Sequence, residues 1–129
     1  MEKNYQKVKN YLLDLEYNIV QESEADGTFT ISKEDEGVKN MIIACADPIL
    51  IMEQPLFRIK RESAEVYKDL LKKNREIVHG AFTLDDSGTV LFRDTLQIEN
   101  LDLNELEGSL NSLSILLSEY GQELVEFAK

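Results

Sequence analysis

From Leu103 to Phe127 the apolar residues Leu103, Leu106, Leu110, Leu113, Leu117, Tyr120, Leu124 and Phe127 recur in alternating steps of three and four. That spacing keeps side chains on one side of an α-helix. Asp102 precedes the run as an N-cap that can accept from the first free amides, and Glu105 follows three residues later as in a capping box. A helix from Asp102 to Ala128 would be about 40 Å long at a rise of roughly 1.5 Å per residue. A compact chain of this length has a diameter of only about 36 Å. The helix therefore spans the domain and must cover either the chain's own sheet or a second copy in a coiled coil. The first is preferred, because Phe82, Leu84, Val90 and Phe92 need a cover.

The 129 residues suit one domain, residues 1–129, with one core. Twenty-five acidic against fourteen basic residues give a net charge of −11. Such a field repels phosphate backbones and anionic lipid heads, so neither nucleic acid nor a membrane is expected as partner. Only residues 63–79 sum to a positive charge, and there Lys68, Lys72, Lys73 and Arg75 are candidate partner-binding residues for an acidic ligand. The alternative is a solvated helix face. The N-terminus reads as an amphipathic helix and not as a signal peptide, and the longest apolar stretch, Met41 to Met52, is broken by Asp47-Pro48. With a lone cysteine, Cys45, these features lead to an expected cytoplasmic location.

Along the chain, a helix is expected from Glu2 to Leu15, its apolar side built from Tyr5, Val8, Leu12 and Leu15. Tyr17–Glu22 and Thr28–Ser32 read as strands around an Asp26-Gly27 turn. Val38–Ala46 and Ile49–Glu53 are two more, and Pro55 is expected to end the block. Ser63 caps a second helix through Arg75. A hairpin of Ala81–Asp85 and Thr89–Ile98 comes next, with Phe82, Leu84, Val90, Phe92, Leu96 and Ile98 on one face. The order α-β-β-β-β-α-β-β-α is an α+β fold: an antiparallel sheet with the long C-terminal helix packed on it.

Catalytic chemistry is sparse. Asp94 falls on the apolar face of Phe92 and Leu96, so it is a buried polar candidate, with Arg93, His79 or a backbone amide as possible partners. His79 is the only histidine and a second such candidate, with no nucleophile or orienting group beside it in sequence. One His and one Cys do not make a zinc site, and neither acidic turn has calcium-loop spacing. No phosphate loop, nucleophile elbow or dinucleotide fingerprint occurs. The expectation is no enzyme, no cofactor and no metal.

The run Leu70-Leu71-Lys72-Lys73-Asn74, His79-Gly80-Ala81-Phe82-Thr83-Leu84-Asp85, Val90-Leu91-Phe92-Arg93-Asp94-Thr95-Leu96, Glu99-Asn100-Leu101-Asp102 and Glu105-Leu106 resembles the YbjN-type proteins. These are a bacterial group with the fold of type III secretion chaperones of the Tir-chaperone kind. The match covers the second half, and the first half agrees in element order. The resemblance implies a small acidic cytosolic domain that forms homodimers and binds segments of other proteins. The expected function is therefore a non-enzymatic, chaperone-like protein-binding domain. Two alternatives stay open: a regulatory adaptor acting through the basic middle segment, and a small-ligand sensor centred on Asp94.

Overall fold

The computed structural model describes residues 2–129. Helix α1 (Glu2–Asp14) leads into β1 (Asn18–Ser23), β2 (Thr28–Lys33), a 3-10 turn (Glu34–Glu36), β3 (Val38–Ala46) and β4 (Ile49–Arg58). Helix α2 (Ala64–Asn74), β5 (Ala81–Leu84), β6 (Thr89–Gln97) and α3 (Leu103–Phe127) complete the chain. The six strands form one antiparallel sheet in the order β1-β2-β3-β4-β6-β5. This is the expected α+β architecture.

Alternate residues of the sheet build a single core. Phe29, Ile31, Met41, Ile43, Leu50, Met52, Val90 and Phe92 are buried on one face. All three helices pack there: Tyr5 of α1 stacks on Phe29 at 4.3 Å, Leu70 of α2 joins the cluster, and α3 adds Leu106, Leu110 and Leu113. Burial of those leucines within the chain's own core assigns the helical stripe to the sheet and removes the coiled-coil alternative. The buried stripe is wider than the leucine seam, because Ser109, Ser112 and Leu116 are buried too. Both expected caps form, with Asp102 accepting from Glu105 N at 2.8 Å and Ser63 from Val66 N at 3.2 Å.

Pro55 does not end its strand. β4 runs on to Arg58 and stays paired with β6, with a bulge between Pro55 and Phe57. The physical reason lies on the other side of the strand, where pairing with β3 stops at Ile42↔Glu53. Pro48 O accepts from Ile98 N at 3.0 Å. By alternation, even-numbered residues of β4 as far as the bulge bond to β6 and odd-numbered ones face β3. Pro55 thus turns its nitrogen toward the side where no strand remains, the setting in which proline is tolerated. Gln54, only 4% exposed, fills the gap. Its side chain accepts from Lys39 N and donates to Gly37 O, each at 3.0 Å, replacing the lost ladder bonds.

Candidate protein-binding surfaces

Among the described residues no helix lies over the outer face of the sheet. One row across the strands reads Thr30, Ile42, Glu53, Arg93; the next reads Thr28, Ala44, Ile51, Thr95; a third reads Ala46, Ile49, Gln97. Ile42 is 41% exposed, Ile49 and Ile51 are half-buried by their neighbours, and none of the three belongs to the core cluster. A solvated outer face of an antiparallel sheet is ordinarily polar. Three isoleucines with Ala44 and Ala46 put an apolar strip along β3 and β4, flanked by Thr28, Thr30, Thr95 and Gln97 and bounded on one side by the cross-strand ion pair Glu53–Arg93. Such a patch is a protein-docking feature more often than an accident of composition.

Where β3 leaves β4, a cleft of about 520 Å³ opens between the 3-10 turn, the free part of β4 and the C-terminal half of α3. Pro55, Phe57, Leu117, Leu124 and Val125 line it. A second groove, about 240 Å³, lies between α2 and the edge strand β5, lined by Tyr67, Leu70, Leu71, Phe82 and Leu84. Leu71 is 70% and Leu84 50% exposed there. The free edge of β5 is partly closed by Asn74. Its side chain accepts from Phe82 N at 2.7 Å and donates to Phe82 O at 3.2 Å, as a neighbouring strand would.

The four basic candidates, three on α2 and Arg75 at its C-cap, part company. Lys68, Lys72 and Arg75 are exposed and take part in no ion pair among the described residues. Lys73 turns inward and is buried, paired with Asp69 and, at 3.2 Å, with Glu123 of α3. Its ammonium also sits 5.0 Å from the centre of the Tyr120 ring and 5.7 Å from that of Phe127. Burial acts to lower its pKa, but the bonds to Asp69 and Glu123 outweigh this and hold it above the ordinary lysine value. Its position carried the signal, since Val66, Leu70, Lys73 and Ile77 follow helical spacing and put Lys73 on the apolar stripe.

Of the two buried polar candidates, His79 departs from the expected burial, whereas Asp94 takes a backbone amide, one of its three expected partners. His79 is exposed. Its carbonyl accepts from Ser112 Oγ at 2.6 Å, so the backbone at 79 is what α3 fixes, while the ring lies over Gly108. Asp94 pairs with neither Arg93 nor His79. Successive strand residues point to opposite faces, which takes Arg93 to Glu53 on the outer face, and Asp94 Oδ1 accepts from Thr95 N at 2.8 Å. Asp94 Oδ2 and Ser109 Oγ are buried without a partner among the described residues. Neither residue lines any of the cavities described above. Cys45 is buried, and burial pushes its thiol up to about 11. No group of three or more potential metal ligands gathers, and no helix is long and apolar enough to cross a membrane, among the described residues.

The CesT_Tir_1 family model matches residues 1–129. Among solved structures, YbjN from E. coli superposes with a TM-score of 0.72 at 14% identity, covering 93% of this chain and 92% of that one. A chain of the HopA1-SchA chaperone-effector complex gives a TM-score of 0.66 at 15% identity, over 92% and 94% of the two chains. A chain of the heterodimeric ExoU-SpcU complex, from the type III secretion system of Pseudomonas aeruginosa, gives 0.58 at 13% identity, over 85% and 91%. No curated protein matches the chain in sequence.

Proposed function

This chain belongs to the CesT_Tir_1 family, and from that premise we propose that it is a non-enzymatic, chaperone-like domain that binds segments of partner proteins and works as a homodimer. The observation that carries the reading is the uncovered outer face of the sheet, where Ile42, Ile49 and Ile51 lie outside the core. A client segment would lie extended across it, its apolar side chains seated between the isoleucines, or would enter the cleft beside α3. Chains of the same fold occur in the HopA1-SchA chaperone-effector complex and in ExoU-SpcU, which supports a protein as ligand.

The test is suppression of aggregation of a denatured client by wild-type protein and by the double variant Ile42→Lys, Ile51→Lys. Both positions face outward, so the variant is expected to keep its fold by circular dichroism and to lose client binding about tenfold or more. Equal activity in the two proteins would remove the sheet face from the account. Light-scattering mass across a hundredfold dilution tests the quaternary part: a persistent species of twice 14.8 kDa is expected, and a monomer throughout would contradict it. The adaptor reading retains one observation in its favour: Lys68, Lys72 and Arg75 are exposed and in no ion pair among the described residues.

A further inference from the structure

In the cleft beside α3 the sheet leaves main-chain groups of β4 without a neighbouring strand. Pairing with β3 ends at Ile42↔Glu53. Pro55 turns its nitrogen away from β6, and its carbonyl points the same way, because both groups of a strand residue face one side. Beyond the bulge Ile59 N donates to Gly88 O at 3.1 Å. Odd-numbered residues there face β6, so the N–H and C=O of Arg58 face the side that β3 has left. Gln54 bridges the gap only at Gly37 and Lys39, short of these groups.

The opposite wall is open. Gly121 lies inside α3 and lines the cleft. A glycine in a helix interior costs about 1 kcal/mol relative to alanine, and the packing of this chain does not require it, since a Cβ there would meet nothing within 4 Å. What the absent side chain provides is room for another backbone to approach α3 closely. Around it Phe57, Leu117, Leu124 and Val125 offer apolar contact, and Val125 is 59% exposed. Glu34 and Lys39, the charged residues of the lining, are opposite in sign, so the cleft favours neither an acidic nor a basic ligand. A helix spends its main-chain groups on itself and an acyl chain has none. Neither answers the open groups of β4, whereas an extended peptide does.

We propose that this cleft takes one extended, uncharged apolar segment of a partner protein as a short added strand. Its main chain bonds Pro55 O and the backbone of Arg58 and passes over Gly121, and its alternate side chains seat on Phe57, Leu117 and Leu124. The proposal rests on the protein-binding reading and gives the cleft a ligand conformation, a hydrogen-bonding edge and a residue, Gly121, that keeps it open.

The experiment is fluorescence anisotropy with two labelled peptides of about eight residues, both alternating valine and threonine. One has free amides, and the other has the same side chains with alternate amides N-methylated. The full chain is expected to bind the first at least tenfold more tightly than the second, with little change as salt rises. Gly121→Trp fills the cleft from a position with open space around it, and Val125→Asp puts a charge in the apolar wall. Each should lower peptide affinity about tenfold or more while circular dichroism and thermal unfolding show a folded chain. Equal binding of the two peptides, or binding that survives in the folded variants, would overturn the proposal. So would a wild-type dimer that Gly121→Trp converts to monomer with no peptide bound by either form, since a second copy would then own the cleft. Suppression of client aggregation is read in the same samples: if it persists while neither peptide binds, this inference falls alone, and if it is absent as well, the protein-binding reading falls with it.

Discussion

Asn74 carries a specific and measurable burden. It is the last residue of α2, and its side-chain amide bonds both backbone groups of Phe82, an otherwise free position on the sheet edge. Asn74→Leu keeps the approximate size and removes both bonds. A neutral hydrogen bond contributes about 1 kcal/mol net, so the loss of two is about 2 kcal/mol if water reaches Phe82 N and O, and more if they stay dry. At this chain length that is a fall in Tm of roughly 4–8 °C. Phe82 itself is buried, so the variant should stay folded at 25 °C with an unchanged denaturant slope. Urea denaturation gives the energy, and hydrogen exchange gives the place: the Phe82 amide should exchange at least tenfold faster while Phe92 on the neighbouring strand is little changed. The uncapped edge should also raise concentration-dependent association in light scattering. Unchanged stability together with unchanged exchange at Phe82 would refute the capping argument.

Lys73→Met keeps an apolar stem and should cost no more than about 1 kcal/mol in urea, since Asp69 and Glu123 are exposed enough to rehydrate. Lys73→Ala also removes packing against Tyr120 and Phe127 and should cost about 2 kcal/mol more. Because the folded pKa of Lys73 is raised, its contribution is fully present at neutral pH and is lost only as pH climbs above about 10.5; the wild-type advantage over Lys73→Met should vanish in that alkaline window. Gly80→Ala and Gly88→Ala form a matched pair, both at positive φ, +86° and +88°. A Cβ at Gly80 would lie 2.6 Å from Phe92 Cζ, whereas Gly88 has nothing within 4 Å. Gly88→Ala should cost about 1 kcal/mol of backbone strain and Gly80→Ala about 3 kcal/mol, read by thermal unfolding. Cys45 should resist thiol reagents at pH 8 in the native state and react within minutes in urea, given its burial and its pKa near 11.

The elements that were legible in sequence are those whose signals are local. Asp102 and Ser63 mark helix starts by hydrogen bonds to amides three residues on, and the α3 leucines repeat often enough to fix the buried side. Pro55 misled because its effect depends on whether β3 is still alongside, and that is set by the register of a strand more than ten residues away. Gln54 and Asn74 were invisible for the same reason: each completes a backbone ladder that exists only in the folded sheet. Lys73 was readable and overlooked, because charge was weighed before its place on the Val66–Leu70–Ile77 stripe. The open face of the sheet was only half legible. Ile42, Ile49 and Ile51 sit in runs dense in Ile, Leu and Met, a composition shared with strands buried on both faces, and the sequence has no marker for which layer is missing.

The central claim is that proteins bind on the uncovered face of the sheet. Its most direct test is site-specific photo-crosslinking of a denatured client, with a benzophenone side chain placed at Ile51 on that face or, as control, at Ile115, 60% exposed on α3. Crosslinked client should accumulate several-fold more from position 51 and be competed away by unlabelled client. Crosslinking that is equal at the two positions, or that favours 115, would contradict the account.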